Sequence, residues 1–451
     1  MDLVKDDIKK VYWKYFLAAF GSSFLSSVYS LVDLAVSGQY EGPDGSSAIS
    51  VAMPLLNIVY SLGILIGVGG SIIFSKCLGE GDKERAKVSF TNDFIILLLV
   101  TGIIWLVLFL AEEPLLIFFG GSGHILELSK RYLEPIMWGI PVLTLGQFIG
   151  SYLRSDGAPV LATIAIIAGG AFNVFGDIFF VNTCDMGIKG AGLATVVGQI
   201  VGLLIMSTHF FSRKSLLRFR KPQHFFRDFL LTVEAGFSSA LTDMAMGVMI
   251  VLYNNQIMRY LDSDALSVYG VAMEIMMFVQ CCSYAIGQAA SPILSENYGS
   301  QQMKRIHDLV KMALVLCFVF AVIWTALVLA VPNVFIRLFM KPSERVLAIA
   351  PKILRIYGLS FIFLPFNVFG TYCFSSIGKG GIAILLSFLR GIAVPLLLLF
   401  SLPAMFGGDA VWWSEIGCEG LTFMVFAVLL ALNLKKISGD DKKAREEGKL
   451  K

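Results

Sequence analysis

The chain has 451 residues, of which 56% are hydrophobic and only 15% charged. Soluble domains carry roughly 25% charged residues, so this composition, with 36 Phe and a mean hydropathy of +0.76, excludes an ordinary water-soluble protein. A net charge of +3 says little by itself about partners, and no nucleic-acid partner is expected.

A bilayer core of about 30 Å takes about 20 apolar residues per helix. In chain order, apolar spans are predicted at 12–39, 51–77, 90–111, 131–153, 159–181 and 190–212, then at 228–261, 265–295, 306–331, 346–376, 381–404 and 411–434. The expected fold class is therefore an all-α polytopic membrane protein with twelve transmembrane helices. With the N-terminus inside, the cytoplasmic segments collect most of the 36 Lys and Arg. They include Lys83, Arg85 and Lys87 in one loop, Arg213 to Arg227 in another, and a Lys-rich C-terminal tail. The positive-inside rule then puts both termini in the cytoplasm, and the plasma (inner) membrane is the expected host. Arg337, Lys341, Arg345 and Lys352 run against that trend as a local exception. The first residues mix Lys and Asp and show no signal-peptide pattern. None of the seven Cys forms a CxxC, so disulfide, metal and cofactor chemistry are not expected.

The chain repeats itself. A shift of 220 residues carries Val51-Ala52-Met53 onto Val271-Ala272-Met273, Ile66-Gly67 onto Ile286-Gly287, Ser71 onto Ser291, Gly79 onto Gly299 and Arg85 onto Arg305. A shift of six spans preserves the inside–outside sense, so the repeat is parallel, one of the two designs of secondary transporters. The expected organisation is a six-helix lobe over 1–212, a cytoplasmic linker over 213–227, a second six-helix lobe over 228–434 and a charged, disordered tail over 435–451.

Ionisable residues within a membrane span are costly, which makes each a site candidate. Asp33 and Asp177 fall in the outer half of two inside-to-outside helices. Asn173 precedes Asp177 by one turn on the same face, and Thr195 enters from the next helix at similar depth. These four are the expected ion-coupling residues, for H⁺ or for Na⁺ at Asp33, Asn173 and Asp177; helix–helix adhesion is the plainer role for Asn173 and Thr195. In the second half Asp243, Glu274, Gln288 and Arg390 are the candidates for a substrate cavity. Glu274 stands where the repeat has Pro54, and Gln288 where it has Val68. Glu274 either binds substrate or pairs with Arg390. Four scattered His, no HExxH and no Walker-type phosphate loop argue against an enzyme or an ATP-driven pump.

Several segments resemble the multidrug and toxic compound extrusion (MATE) transporters. SLVDLAVSGQY around Asp33 is similar to their first-helix signature, LRSDGAP at 153–159 to the turn after their fourth helix, and NVFGDIFF at 173–180 to their Asn-x-x-x-Asp motif. GIKGAGLATVVGQ at 187–199 resembles their sixth-helix entrance, and PILSENYG at 292–299 a second-lobe motif. The resemblance implies two six-helix lobes, alternating access, and export of cationic or amphipathic small molecules by a monomer driven by H⁺ or Na⁺. It also implies a first-lobe cation site at Asp33, Asn173, Asp177 and Thr195. Gly150 and Ser151 depart from the family pattern, as does Gly236-Phe237-Ser238. The alternatives are a flippase for a lipid-linked saccharide, which would want a strongly basic cavity, and an intramembrane lipid-modifying enzyme.

Overall fold

In hydrocarbon every backbone N–H and C=O must be satisfied within the segment itself, which leaves helices as the answer to long apolar runs. The computed structural model describes residues 3–23, 43–339 and 342–446, and every regular element among them is helical. We number the helices α1 (8–23), α2 (Pro43–Gly79), α3 (Lys83–Phe118), α4 (Gly123–Ser155), α5 (Pro159–Gly176), α6 (Ile188–Ser207), α7 (Phe225–Tyr260) and α8 (Ser263–Gly299). They continue with α9 (Met303–Ala330), α10 (Pro332–Phe339), α11 (Glu344–Gly358), α12 (Leu364–Ser376), α13 (Gly380–Phe388), α14 (Val394–Phe406) and α15 (Val411–Glu446).

Ten membrane-crossing spans are found among the described residues, with α11–α12 and α13–α14 each forming one. They coincide with the spans read from the sequence except the first and the seventh. The first is described only to residue 23, and the seventh corresponds to α7, a helix of 36 residues. The all-α polytopic class therefore stands. The last helix runs to Glu446, into the segment where composition predicts disorder.

Local chemistry sets the helix ends. Asp82 accepts a hydrogen bond from Arg85 N at 2.9 Å and caps α3, and Asp262 does the same for Ala265 N at the start of α8. The turn before α3 uses Gly81 at φ +83°, a left-handed conformation that favours glycine. Left-handed residues recur at the repeat spacing: Gln301 (φ +60°) stands 220 residues after Gly81, and Gly407 (φ +86°) stands 220 after Gly187 (φ +57°).

Two compact units emerge. One holds the described part of Leu17–Ala240, and the other Leu3–Phe16 with the described part of Leu241–Lys451. The first half of α7 thus belongs to the first unit, and the opening of α1 to the second. Within the first unit α4 packs between α2 and α6, with Leu133, Ile136, Ile140 and Leu143 buried against Leu55, Leu56 and Val59. The first half of α7 meets α2 backbone to backbone, since a Cβ on Gly236 would overlap Leu65 O and one on Gly69 would overlap Thr232 O. Leu98, Leu99, Ile103, Leu106 and Leu110 of α3 are exposed, forming a face for lipid rather than water.

Candidate functional site

The first unit carries a buried polar group on α5 and α6. Small residues bring these helices together: a Cβ on Gly198 would sit 3.0 Å from Asn173 Cβ. That approach buries Asn173, whose Nδ2 donates to Thr195 Oγ1 at 3.4 Å, while Thr195 Oγ1 donates to Ala191 O at 3.2 Å. Asp177 is one turn further along α5, fully buried, and opens a π-helical stretch, Asp177–Thr183. Such single π turns gather at functional sites because they re-aim one side chain out of helical register. Asp33, the fourth member of the expected set, lies outside the described residues.

The second unit contains a cavity of about 70 Å³. Tyr253, Tyr269, Tyr357, Arg390, Glu415 and Glu419 line it, from α7, α8, α11, the π turn after α13, and α15. The position of Arg390 follows from Pro395. Lacking an N–H, Pro395 cannot close the ladder back to the Arg390 carbonyl, which instead accepts from Cys418 Sγ at 3.3 Å. A π-helical stretch, Leu389–Ala393, absorbs the irregularity. The guanidinium donates from Nε to Glu419 Oε1 at 2.7 Å. Glu419 Oε2 in turn accepts from Asn367 Nδ2 at 2.6 Å, and Glu415 Oε2 accepts from Tyr253 Oη at 3.0 Å. Tyr253 stacks on Tyr269, and Tyr357 meets Tyr269 edge-on, so the acids stand among aromatic walls.

Of the three expected cavity residues whose side chains are described, Glu274, Gln288 and Arg390, only Arg390 lines this one. Tyr269, Met273, Met276 and Gln280 recur at helical spacing and form the face of α8 that does so. Glu274 lies off that face, half-buried, and its Oε2 has no hydrogen-bond partner among the described residues. The pairing of Glu274 with Arg390 is therefore corrected: the guanidinium's partner is Glu419, which α15 brings closer. Gln288, also half-buried, lies two turns beyond Gln280 and does not line the cavity. Asp243 is on α7, and its side chain is outside the described part.

Sequence reasoning missed Glu415 and Glu419. Their spacing of four residues on one face of an apolar span was the available signal. It also missed Asp93 of α3, which is fully buried in the first unit and accepts from Tyr152 Oη at 2.6 Å, Thr232 Oγ1 at 2.7 Å and Ser89 Oγ at 3.3 Å. Beside it, buried Asp228 pairs with Arg85 and accepts from Asn92 Nδ2 at 2.6 Å. The hydroxyls of Thr232 and Tyr152 and one ion pair thus tie the start of α7 and the end of α4 to α3. Among the described residues no group of three or more His, Cys, Asp or Glu is placed to hold a metal ion.

Comparison with known proteins covers nearly the full length. A family model described as MatE matches residues 18–179 and 239–399. The multidrug export protein MepA of Staphylococcus saprophyticus is 22% identical over 93% of this chain and 92% of its own. MepA of Staphylococcus aureus is 23% identical over 97% and 96%. A solved outward-facing multidrug resistance MATE family transporter of the MOP superfamily superposes with a TM-score of 0.90 at 19% identity, over 97% of this chain and 98% of that one.

Proposed function

Because this chain belongs to the MatE family, we propose that it is a secondary antiporter that exports cationic or amphipathic compounds in exchange for an inward ion. The observation that carries this reading is the burial of Asn173 and Asp177, one turn apart within the segment that resembles the family's cation motif, with Asn173 donating to Thr195 of α6. On this reading twelve helices form two six-helix lobes in the plasma membrane, with both termini cytoplasmic and the monomer as the working form. The left-handed residues that recur at the repeat spacing support the duplication. Asp33, Asn173, Asp177 and Thr195 form the ion site, and the ion is H⁺ or Na⁺. Ion binding biases the equilibrium between inward-open and outward-open states because the two states expose these carboxyls to water differently. One charge crossing 100 mV supplies about 2.3 kcal/mol, to which the ion's own gradient adds. The relatives named as multidrug exporters support small organic compounds as substrates.

Counterflow in proteoliposomes with imposed pH or Na⁺ gradients tests the reading. Asp177→Asn fills nearly the same volume, so ligand binding and fold should persist while gradient-driven export is lost. Export by the variant at the wild-type rate would remove Asp177 from the mechanism. The flippase alternative gains nothing from the second unit, where Arg390 is already engaged by Glu419 rather than open to a pyrophosphate.

A further inference from the structure

The cavity of the second unit contains an unequal number of charges. Glu415, Glu419 and Arg390 all line it, but the guanidinium is bonded to Glu419 and leaves Glu415 with a tyrosine hydroxyl as its hydrogen-bond partner. When all three are ionised, one negative charge is left over. A second and independent observation is Gln280, which also lines the cavity and is only 5% exposed. Its Nε2 donates to Tyr284 Oη at 2.8 Å, while its Oε1 has no partner among the described residues. An unsatisfied buried carbonyl oxygen beside an uncompensated carboxyl calls for a ligand that is both cationic and a hydrogen-bond donor. The walls suit such a group, because tyrosine faces attract cations and methionine side chains adapt to varied shapes. At about 70 Å³ the space suits a charged head group, whereas whole drug-sized ligands occupy roughly 300 Å³ or more.

Resting on the drug-export reading above, we propose that this cavity is a charge-counting subsite for the cationic head group of the exported compound. Glu415 supplies the one uncompensated negative charge that the ligand meets. Arg390 sets that count at one by neutralising Glu419, and so selects ligands with a single positive charge over those with two. Gln280 Oε1 accepts a hydrogen bond from the head group.

Ethidium and propidium provide the test, since they share a ring system and carry one and two positive charges. Binding of each to purified full-length protein is measured by fluorescence polarisation, with a melting curve for every variant. The wild type should prefer ethidium. Glu415→Gln keeps an acceptor for Tyr253 Oη but brings the count to zero, and should weaken ethidium about tenfold or more. Arg390→Gln raises the count to two and should shift the preference toward propidium by a similar factor. Because that change leaves Glu419 without its partner, the double variant Arg390→Gln/Glu419→Gln serves as the folded control. It restores a count of one and should keep the wild-type preference. Unchanged ethidium affinity in Glu415→Gln, or a double variant that prefers propidium, would overturn the charge count. If the wild type binds neither dye, the drug-export reading itself falls and the proposal with it. Wild-type ethidium binding with variants that ignore the count removes the proposal alone.

Discussion

At the scale of single residues, several buried polar groups are held by dedicated partners. Asp93 is the clearest case, with hydroxyls of Tyr152, Thr232 and Ser89 directed at one carboxyl. Removing the acceptor strands hydroxyls in a buried place, at about 1–3 kcal/mol for each one left unsatisfied. Asp93→Ala should therefore lower the melting temperature strongly, whereas Asp93→Asn, which still accepts through Oδ1, should retain most of it. Equal melting temperatures for the two variants would mean that the hydroxyls find other partners. Asp93, Glu415 and Glu419 show why residue-level reading of the sequence falls short. Each lies within a few turns of a span's end, where a carboxylate normally faces the headgroups, and only the neighbours brought by other helices bury it. Asn173 and Asp177 were legible because their spacing alone puts both on one face of one apolar helix.

At the scale of elements, hydropathy is enough to find the helices and not enough to find their irregularities. The π turns at Asp177–Thr183 and Leu389–Ala393 leave no hydropathy trace, although Pro395 announces the second to a reader who asks where the carbonyl four or five residues earlier finds a donor. Crossings are equally silent. Gly236 looks like any small residue in a helix, yet its Cα faces Leu65 O so closely that a methyl group cannot fit. Gly236→Ala should cost about 1–3 kcal/mol through overpacking. Gly102→Ala, on α3 with nothing within 4 Å of the added Cβ, should be neutral or slightly stabilising. Thermal unfolding of the two purified variants in one detergent makes the comparison, and a neutral Gly236→Ala would show that the α2–α7 crossing can relax.

At the scale of the whole molecule, the repeat makes equivalent positions do unequal work. Arg85 and Arg305 are related by the 220-residue shift; Arg85 holds the first turn of α7, and Arg305 the residues that precede α1. Arg85 does so through the buried carboxylate of Asp228, and Arg305 through the carbonyls of Leu3 and Asp6, at 3.0 and 2.8 Å. Losing Arg85 leaves a buried charge uncompensated, a penalty of about 3 kcal/mol or more. Losing Arg305 removes hydrogen bonds to neutral acceptors, one of which, Leu3 O, keeps Asn297 Nδ2, so about 1–2 kcal/mol is expected. Arg85→Ala should therefore melt well below Arg305→Ala; the reverse order would refute the asymmetry. Topology offers a second test at this scale. Cys184, in the turn between the π stretch after α5 and α6, is the exposed one of the seven cysteines, and the positive-inside reading puts it outside. A membrane-impermeant maleimide should label it on intact cells, and labelling only after lysis would invert the proposed orientation.

The sequence by itself determined the solvent, the class and the places where helices run. Transfer of apolar side chains into lipid is a nearly additive, local quantity, and a helix satisfies its backbone without help from the rest of the chain. It also carries the 220-residue self-similarity, and the left-handed turn residues Gly81 and Gln301 stand at that same spacing. Only the tertiary structure decided which buried charges meet. Glu274 and Arg390 looked like partners on a list of intramembrane charges, but pairing depends on which helix face each occupies, and Glu419 approaches from α15 where Glu274 turns aside. The cavity in the second unit is of the same kind. Its residues come from five separate segments, and no local pattern relates Tyr253 to Glu415 or Arg390 to Glu419, because the attraction between them acts only after packing has brought them within a few ångströms.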